Sequence, residues 1–394
     1  MVELRTLHFT DVHDEFEKYE LLAKLIASKK DSDQAVDAVF ITGDFIEGQP
    51  EVEGTAHKIF SELKSFTEKG PLKAEYESLQ ASLKKYVKDG KIDLNSINEV
   101  DKKKIRDFEA KSEALSSETN SIVTRFFHEA YTKHAQALKN IDIHILAILG
   151  NHDVNSGYEI LKDHVTFLEK TNKASIKGKN NLEFIVKGDL NTWEFPTFYG
   201  QFSKTSAAER FIPYHSGFSL NELSSKVKEI QKKLDENQDQ EQRKEMQTIL
   251  EQMIETRKQV LEYTQSELHR LGDKKDPIDI YLTHKLPHCK TANDKIKGPL
   301  SDLTLEYAAN AKAVYGGHFH EGQIGYKTIE DFLKQASTEK TTVDGVEVPV
   351  YYLDDKEPWE LNPGTKYFFV TEYDAKKQIE QVVIHEFYYE EVQA

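Results

Sequence analysis

The chain has 394 residues, enough for one large domain with insertions, which we expect, or for two to three smaller domains. It carries 52 Lys and Arg against 68 Asp and Glu, and the resulting formal charge of −16 repels polyanions at long range. This charge disfavours a nucleic-acid partner, although a local basic groove remains the alternative.

The cysteine content and the hydropathy indicate the compartment. Cys289 is the only cysteine, so the chain cannot form an internal disulfide, and a reducing environment is expected. No secretory leader is predicted after Met1, and no apolar stretch approaches the roughly 18 to 20 residues of a membrane helix. We therefore expect a cytoplasmic protein without a membrane anchor.

The first predicted strand ends in two metal-ligand residue types. Leu4 to Phe9 alternates apolar and polar residues, as a half-exposed strand does, and Asp11 and His13 follow it. Residues two apart in an extended segment leave the same face, which suits two ligands on one ion. A polar surface turn is the alternative.

A helix and a second strand follow. Glu17 to Ser28 has helical spacing, and residues 37–41, which are apolar after Asp37, are typical of a buried strand. The order strand, helix, strand predicts a parallel crossover. The second strand ends in Gly43 and Asp44, with Glu47 three residues further on.

Residues of about 51–140 are predicted to form a helical insertion, because their apolar side chains recur at spacings of three and four. Among these side chains are Ile105, Phe108, Leu115, Ile122 and Phe126. The run from Ile141 to Leu149 then predicts another buried strand. It stops at Gly150 and is followed by Asn151, His152 and Asp153. A plain turn is the alternative to a site at this strand end.

A second helical insertion is predicted at about 219–272, after strand-like segments at 182–186 and 193–199. Ser219 and Glu222 have the spacing of a capping box, and Gly272 ends the second of two helical runs. The pair predicts a helical hairpin, and an antiparallel coiled coil is one form it could take. Its charged exterior favours a solvated face, with a docking surface for a protein partner as the alternative.

The remaining predicted strands supply the histidines. Residues 278–282 lead to His284, and 313–315 lead to Gly317, His318 and His320, with both histidines on one face of an extended segment. Strand-like runs at 346–353, 366–373 and 378–389 indicate a β-rich C-terminal region that closes a sheet.

The strand ends together offer a ligand set without thiolate: Asp11, His13, Asp44, Asn151, His284, His318 and His320. Carboxylate, imidazole and amide ligands suit manganese, iron, zinc, cobalt or nickel. With one shared carboxylate, the set is large enough for two divalent metal ions. Such a pair suits phosphate esters, because the ions polarise phosphoryl oxygens and deprotonate the water between them, which attacks phosphorus.

The strand ends carry the motifs Asp11-x-His13, Gly43-Asp44 with Glu47, Gly150-Asn151-His152-Asp153, His284 and Gly317-His318-x-His320. As a set, these motifs resemble those of the calcineurin-like metallophosphoesterase superfamily. The resemblance covers roughly 1–50, 140–200 and 275–390. It implies an α/β fold, a four-layer α/β/β/α sandwich, with 1–394 as a catalytic domain that carries the two helical insertions.

The resemblance also implies residue roles. One metal would be held by Asp11, His13, Asp44 and His320, and Asp44 would bridge to a second metal on Asn151, His284 and His318. His152 would protonate the leaving oxygen. Many relatives orient this histidine with an aspartate three residues after the bridging one, and this chain has Glu47 there, one methylene longer. Gly48 and Gln49 replace the arginine and glycine of the phosphoprotein-phosphatase branch, which disfavours that assignment.

These features favour a dinuclear-metal phosphohydrolase for a phosphomonoester or phosphodiester, with the insertions selecting a phosphorylated substrate. A nuclease like the DNA-repair members of the superfamily is a second hypothesis, which the negative charge disfavours. A third is a scaffold that has lost catalysis, although its ligand set would then be expected to be broken.

Overall fold

The computed structural model describes residues 2–48, 52–69, 78–79, 81–88, 91–92, 97–150, 152–154, 156–171, 173–188, 220–236, 240–273, 276–286, 307–325, 327–329, 331, 339–343, 346–351 and 359–387. The predicted strand 193–199, the predicted ligand Asn151 and the single cysteine Cys289 lie outside these residues. The helices are α1 Glu17–Lys29, α2 Thr55–Lys69, α3 Glu99–Leu138, α4 Ser156–Leu161, α5 Leu220–Glu236 and α6 Gln240–Leu271.

Within the described ranges, the strands form two large sheets and one two-stranded ribbon. They are β1 Leu4–Phe9, β2 Ala38–Thr42, β3 Val87–Lys88, β4 Lys91–Ile92, β5 His144–Ile148, β6 Thr166–Phe167, β7 Ala174–Lys177, β8 Glu183–Gly188, β9 Ile278–Lys285, β10 Ala311–Gly317, β11 Gln323–Ile324, β12 Lys327–Thr328, β13 Glu339–Val343, β14 Val346–Tyr351, β15 Trp359–Asn362, β16 Tyr367–Tyr373 and β17 Ile379–Glu386.

The first sheet has the order β13-β14-β17-β16-β1-β2-β5-β6. β1, β2 and β5 run parallel, which confirms the predicted crossover between the first two strands. The C-terminal strand β16 returns antiparallel to β1, with Arg5 opposite Glu372. The carboxyl ends of β1, β2 and β5 therefore share one edge of this sheet.

The second sheet has the order β12-β11-β15-β10-β9-β8-β7, and β8, β9, β10 and β15 are parallel. The two sheets pack face to face, because residues such as Phe40 and Leu146 of the first lie in one buried cluster with Leu282 and Tyr315 of the second. β2 is buried on both faces, as its continuous apolar run predicts.

Helices cover the outer face of the first sheet. Its cluster includes Leu22 of α1, Ile59 of α2, Tyr131 of α3 and Leu161 of α4. On the outer face of the second sheet, Leu271 at the end of α6 packs with Tyr281 and Tyr307. The four-layer α/β/β/α sandwich is confirmed.

α5 and α6 pair antiparallel. The Arg257 guanidinium donates to Ser224 Oγ at 2.9 Å, and Arg243 donates to the Leu234 carbonyl at 2.9 Å. Whether this pair is a coiled coil, and whether 51–140 and 219–272 are insertions into one domain, stay predictions. None of the helices in the described part of the chain is both long and apolar enough to cross a membrane.

Candidate metal centre

The site lies where the carboxyl ends of strands from the two sheets meet. Asp11 and His13 follow β1, and Asp44 follows β2 in the first sheet; His284 lies on β9, and His318 and His320 follow β10 in the second. Parallel strands open a crevice at this edge. Six of the seven predicted ligands are thereby brought together, and Asn151 is the one outside the described residues.

The six predicted ligands form two groups of three. The ligating atoms of Asp11, His13 and His320 lie within 4.8 Å of one another, and so do those of Asp44, His284 and His318. In the first group, His13 Nε2 is 3.0 Å from His320 Nε2 and 3.9 Å from Asp11 Oδ1. In the second, His284 Nε2 is 3.3 Å from Asp44 Oδ2.

These groups fit divalent metal ions. Two imidazole nitrogens that face each other at 3.0 Å beside a carboxylate must share a proton or a cation, because two lone pairs repel. His284 Nδ1 donates to the Thr42 carbonyl at 2.7 Å, which leaves its Nε2 as the ligand atom. The oxygen and nitrogen donors, without sulfur, match borderline divalent metals.

Burial and neighbouring charges shift the pKa values of the ligands in different directions. Burial alone would raise the pKa of the Asp44 carboxyl, but the nearby His152 and His284 imidazoles outweigh it and hold the pKa well below its usual range. Burial alone would lower the pKa of His284, but Asp44 reverses the shift and raises it to about 9. For His13, burial dominates and lowers the pKa to about 3. Asp44 is therefore ionised and His13 neutral across the physiological range.

Four of the predicted ligands adopt left-handed backbone conformations that non-glycine residues rarely use. The φ angles are 49° at Asp11, 50° at His13, 46° at Asp44 and 72° at His318. Each such residue costs about 1–3 kcal/mol and persists only where its surroundings fix it. Here the loops are bonded to one another, because His13 N donates to the Asp44 carbonyl at 3.0 Å and His318 N donates to the Asp11 carboxylate at 3.0 Å.

Two glycines allow these loops to approach closely. Gly43 has a φ of 100°, and a Cβ added there would lie 2.4 Å from His284 Nδ1. A Cβ on Gly150 would lie 2.1 Å from Asp44 Oδ1. Any side chain at either position would displace a predicted ligand.

His152 contacts the second group through its backbone and Gly48 through its ring. Its backbone N–H donates to Asp44 Oδ1 at 2.9 Å, and its Nδ1 accepts from the Gly48 N–H at 3.0 Å. Glu47 Oε1 lies 3.9 Å from His152 Nδ1, beyond a direct hydrogen bond, while Glu47 Oε2 lies 3.5 Å from His13 Nδ1. Glu47 therefore lies between a predicted ligand and the predicted acid, and the catalytic role of the Glu47–His152 pair stays a prediction.

Asp153 is a positioning residue to which the sequence analysis gave no role. Its carboxylate is fully buried and accepts from the backbone N–H groups of Phe45 at 3.1 Å, Ile46 at 3.3 Å and Gly150 at 2.8 Å. It also accepts from the Tyr131 hydroxyl at 3.2 Å. Asp153 thus joins the loop after β2 to the loop after β5, and its place beside His152 was the available sequence signal.

Asn362 and Lys18 support other ligand loops, and no sequence pattern pointed to either. The buried Asn362 amide donates to the Gly317 carbonyl at 3.0 Å and to the Phe319 carbonyl at 3.2 Å. The Lys18 ammonium is fully buried and donates to the Asp11 carbonyl at 3.1 Å. Both side chains fix a backbone segment that carries predicted ligands.

A buried histidine of α3 reaches the same region. His134 Nδ1 is 3.0 Å from the Tyr19 hydroxyl, and its Nε2 is 3.5 Å from Asp14 Oδ1. The other oxygen of Asp14 accepts from Glu47 N at 3.2 Å and Thr55 N at 2.8 Å. The helix therefore contacts the segment that carries Glu47 through one carboxylate.

Two solved structures are similar to the chain only at a low level. One crystal structure is 9% identical, with a TM-score of 0.38, and the match covers 98% of this chain and 100% of that chain. The crystal structure of TT1561 of Thermus thermophilus is also 9% identical, with a TM-score of 0.34, and the match covers 97% of this chain and 98% of that one. Likeness at this level indicates neither a fold nor an activity.

No curated protein matches the sequence. Residues 117–322, just over half of the chain, match the calcineurin-like phosphoesterase family. The matched segment contains the loop with His152, as well as His284, His318 and His320. Together with the arrangement of His and Asp side chains at the strand ends, this match shows that the chain belongs to the calcineurin-like phosphoesterase family, whose members are metal-dependent phosphoester hydrolases.

Proposed function

We propose that this protein is a dinuclear-metal-dependent phosphohydrolase that cleaves a phosphomonoester or a phosphodiester. The observation that carries the proposal is the pair of ligand groups, Asp11, His13 and His320 beside Asp44, His284 and His318. When bound, two divalent cations would polarise the phosphoryl oxygens and lower the pKa of water at neutral pH.

In this proposal, Asp44 contributes to both ligand groups. Its Oδ2 lies 3.3 Å from His284 Nε2, and Asp44 also falls within 4.8 Å of ligand atoms of His13 and His152. The lowered pKa of the Asp44 carboxyl keeps it ionised, because the nearby imidazoles outweigh the effect of burial. We assign Asn151 to the second group on the family pattern.

His152 is the proposed donor of a proton to the leaving oxygen. Because its Nδ1 accepts from the Gly48 N–H, the proton of the neutral ring is on Nε2. Nε2 is therefore the atom we assign to the transfer. The backbone bond from His152 N to Asp44 Oδ1 fixes the distance between the acid and the ligand groups.

The Asp44→Asn substitution tests the proposal. The variant removes a charged ligand, so we expect hydrolysis of p-nitrophenyl phosphate or bis-p-nitrophenyl phosphate to fall by at least about a hundredfold, with less metal retained. Turnover is measured on metal-loaded protein, and bound metal by elemental analysis after purification without chelator.

Asp142→Asn is the matched control, because Asp142 is exposed and pairs only with Lys30 among the described ion pairs. It should leave turnover and metal content unchanged. Full activity and full metal content in the Asp44→Asn variant would contradict the proposal. Wild-type protein that retains no transition metal would instead support a scaffold without catalysis.

A further inference from the structure

The base of the helical hairpin formed by α5 and α6 is hydrogen-bonded to the core at residues 168–171 and at Gly188. In the last turn of α6, Arg270 Nη1 donates to the Leu168 carbonyl at 2.5 Å and to the Thr171 carbonyl at 2.8 Å. Its Nη2 donates to the Gly188 carbonyl at 2.8 Å. One guanidinium therefore fixes two separate segments of the core.

The end of α6 is fixed independently. The Leu271 carbonyl accepts from Lys187 Nζ at 2.5 Å, and the Gly272 carbonyl accepts from the Tyr307 hydroxyl at 2.5 Å. Both bonds satisfy carbonyls that a helix end leaves without an internal partner. Leu271 is buried with Tyr307 and Tyr281. The hairpin thus leaves the core from a fixed base.

Arg270 binds the segment 168–171. The Glu169 side chain of this segment binds the residue that precedes the loop of His152, the predicted acid. Glu169 lies between Leu168 and Thr171 and is 8% exposed. Its Oε1 accepts from the backbone N–H of Leu149 at 2.5 Å. Leu149 immediately precedes the His152 loop, by which we mean Gly150 and residues 152–153 of the described chain. Arg270 therefore holds the backbone on both sides of Glu169, and the Glu169 side chain in turn holds the residue that precedes this loop.

We propose that the helical hairpin controls the position of the His152 loop, with Arg270 and Glu169 as positioning residues. A partner that tilts the hairpin would change the backbone around Asn151 and His152 without contacting the six side chains of the two ligand groups. The effect of such a partner on catalysis rests on the proposed function. The control of the loop position by the hairpin does not depend on that function.

Amide hydrogen exchange of the full chain tests, without any substrate, whether the hairpin controls the position of the loop. Arg270→Ala removes the bonds to three carbonyls, so we expect exchange in a peptide covering 149–154 to become about tenfold faster or more, as expected for easier local opening. Arg243→Ala is the matched control on the same helix, since Arg243 donates to the Leu234 carbonyl within the hairpin. It should leave that peptide unchanged.

Glu169 supplies a second pair of variants. Glu169→Ala should speed exchange in the same peptide, while Glu169→Gln, which keeps an acceptor oxygen, should restore much of the protection. Glu159→Ala is the control, because Glu159 is exposed and pairs with Lys162 at 2.9 Å. The double variant of Arg270 and Glu169 should open the loop no further than Glu169→Ala alone, because Arg270 acts through Glu169.

Turnover gives an independent readout. Arg270→Ala should lower kcat about tenfold with KM changed by less than about twofold, because His152 and Asn151 are displaced while the six side chains of the two ligand groups remain. If Arg270→Ala does not fold, Arg270→Lys, which keeps the charge but cannot reach three carbonyls, should show the same effects to a smaller degree.

The proposed control of the loop would be contradicted if Arg270 variants changed amide exchange only in 168–171 and α6. It would also be contradicted if the effects of the Arg270 and Glu169 variants on loop exchange were additive. Absence of hydrolysis by the wild type would contradict the proposed function, and the exchange data would still decide whether the hairpin positions the loop.

Discussion

We expect the Asp44–His284 pair to make metal binding at the proposed site depend on pH. Asp44 raises the pKa of His284 to about 9 despite burial, so in protein stripped of metal the imidazolium persists well above neutral pH. A histidine binds a metal ion only through a neutral imidazole. Metal binding at pH 7.5 should therefore release a proton from His284. His13, whose pKa burial lowers to about 3, has no proton to release.

Calorimetric titration of stripped protein with Mn²⁺ in buffers of different ionisation enthalpy measures this release. Between pH 6.5 and 9 the affinity should rise with pH, by up to about tenfold per unit for one released proton. Above pH 9 the dependence should vanish, which serves as the internal control. Binding enthalpies that do not vary with the buffer at pH 7.5 would contradict the assignment.

Asp153 gives a stability prediction at a single carboxylate. Asp153→Asn places an amide donor where Phe45, Ile46 and Gly150 present backbone donors. Leaving buried donors without an acceptor should lower the free energy of unfolding by about 2–4 kcal/mol. Denaturant unfolding measures the change. Asp142→Asn, at an exposed carboxylate, should change it by less than about 0.5 kcal/mol, and equal effects of the two variants would contradict the role of Asp153.

At the scale of elements, α3 contacts Asp14, and through it the segment that carries Glu47, by way of His134. His134→Phe keeps an aromatic ring but removes both nitrogens, so the Tyr19 hydroxyl and Asp14 lose a buried neighbour. We expect a loss of about 1–3 kcal/mol in the free energy of unfolding. His128→Phe is the control on the same helix, because His128 is exposed. A His134 variant as stable as the control would show that the helix does not depend on this contact.

The sequence predicted most elements because their signals are local. The strand at Leu4–Phe9 has the predicted bounds, and the predicted helix pair at 219–272 appears as helices 220–236 and 240–271. In α3, the partly buried Ile122 and Phe126 pack against the core as expected, whereas the fully buried stripe lies one residue further along, at Val123 and Phe127. Tertiary packing, rather than residue spacing, decides which residues of an apolar helix face are most deeply buried.

The parts of the fold and of the site that were not predicted depend on contacts distant in sequence. The ligand types followed from their positions after strands, which is a local signal. The pairing of Arg5 with Glu372, and the reach of Asn362 to the loop after β10, require strand order that no local pattern encodes. Glu47 is a related case, because its extra methylene places the carboxylate between His13 and His152, which the family pattern does not predict.

At the scale of the whole molecule, the candidate site joins the two sheets. The first sheet supplies Asp11, His13 and Asp44, and the second supplies His284, His318 and His320, so each ligand group combines side chains from both sheets. A cation held by either group would bind only when the sheets are packed together. Metal binding should therefore stabilise the folded chain as a whole.

Thermal and denaturant unfolding of chelator-stripped protein, with and without Mn²⁺, checks this expectation. At a free concentration of a hundred times Kd, each ion that binds only the folded state should add about 2.7 kcal/mol to the free energy of unfolding. Asp44→Asn should lose most of this gain and Asp142→Asn should keep it, because only Asp44 belongs to a ligand group. Ca²⁺ serves as the control ion, since it prefers oxygen ligands and should stabilise less than Mn²⁺ at a site rich in imidazole. Equal unfolding free energies with and without Mn²⁺ in the wild type would show that the six side chains do not act as ligands that join the sheets.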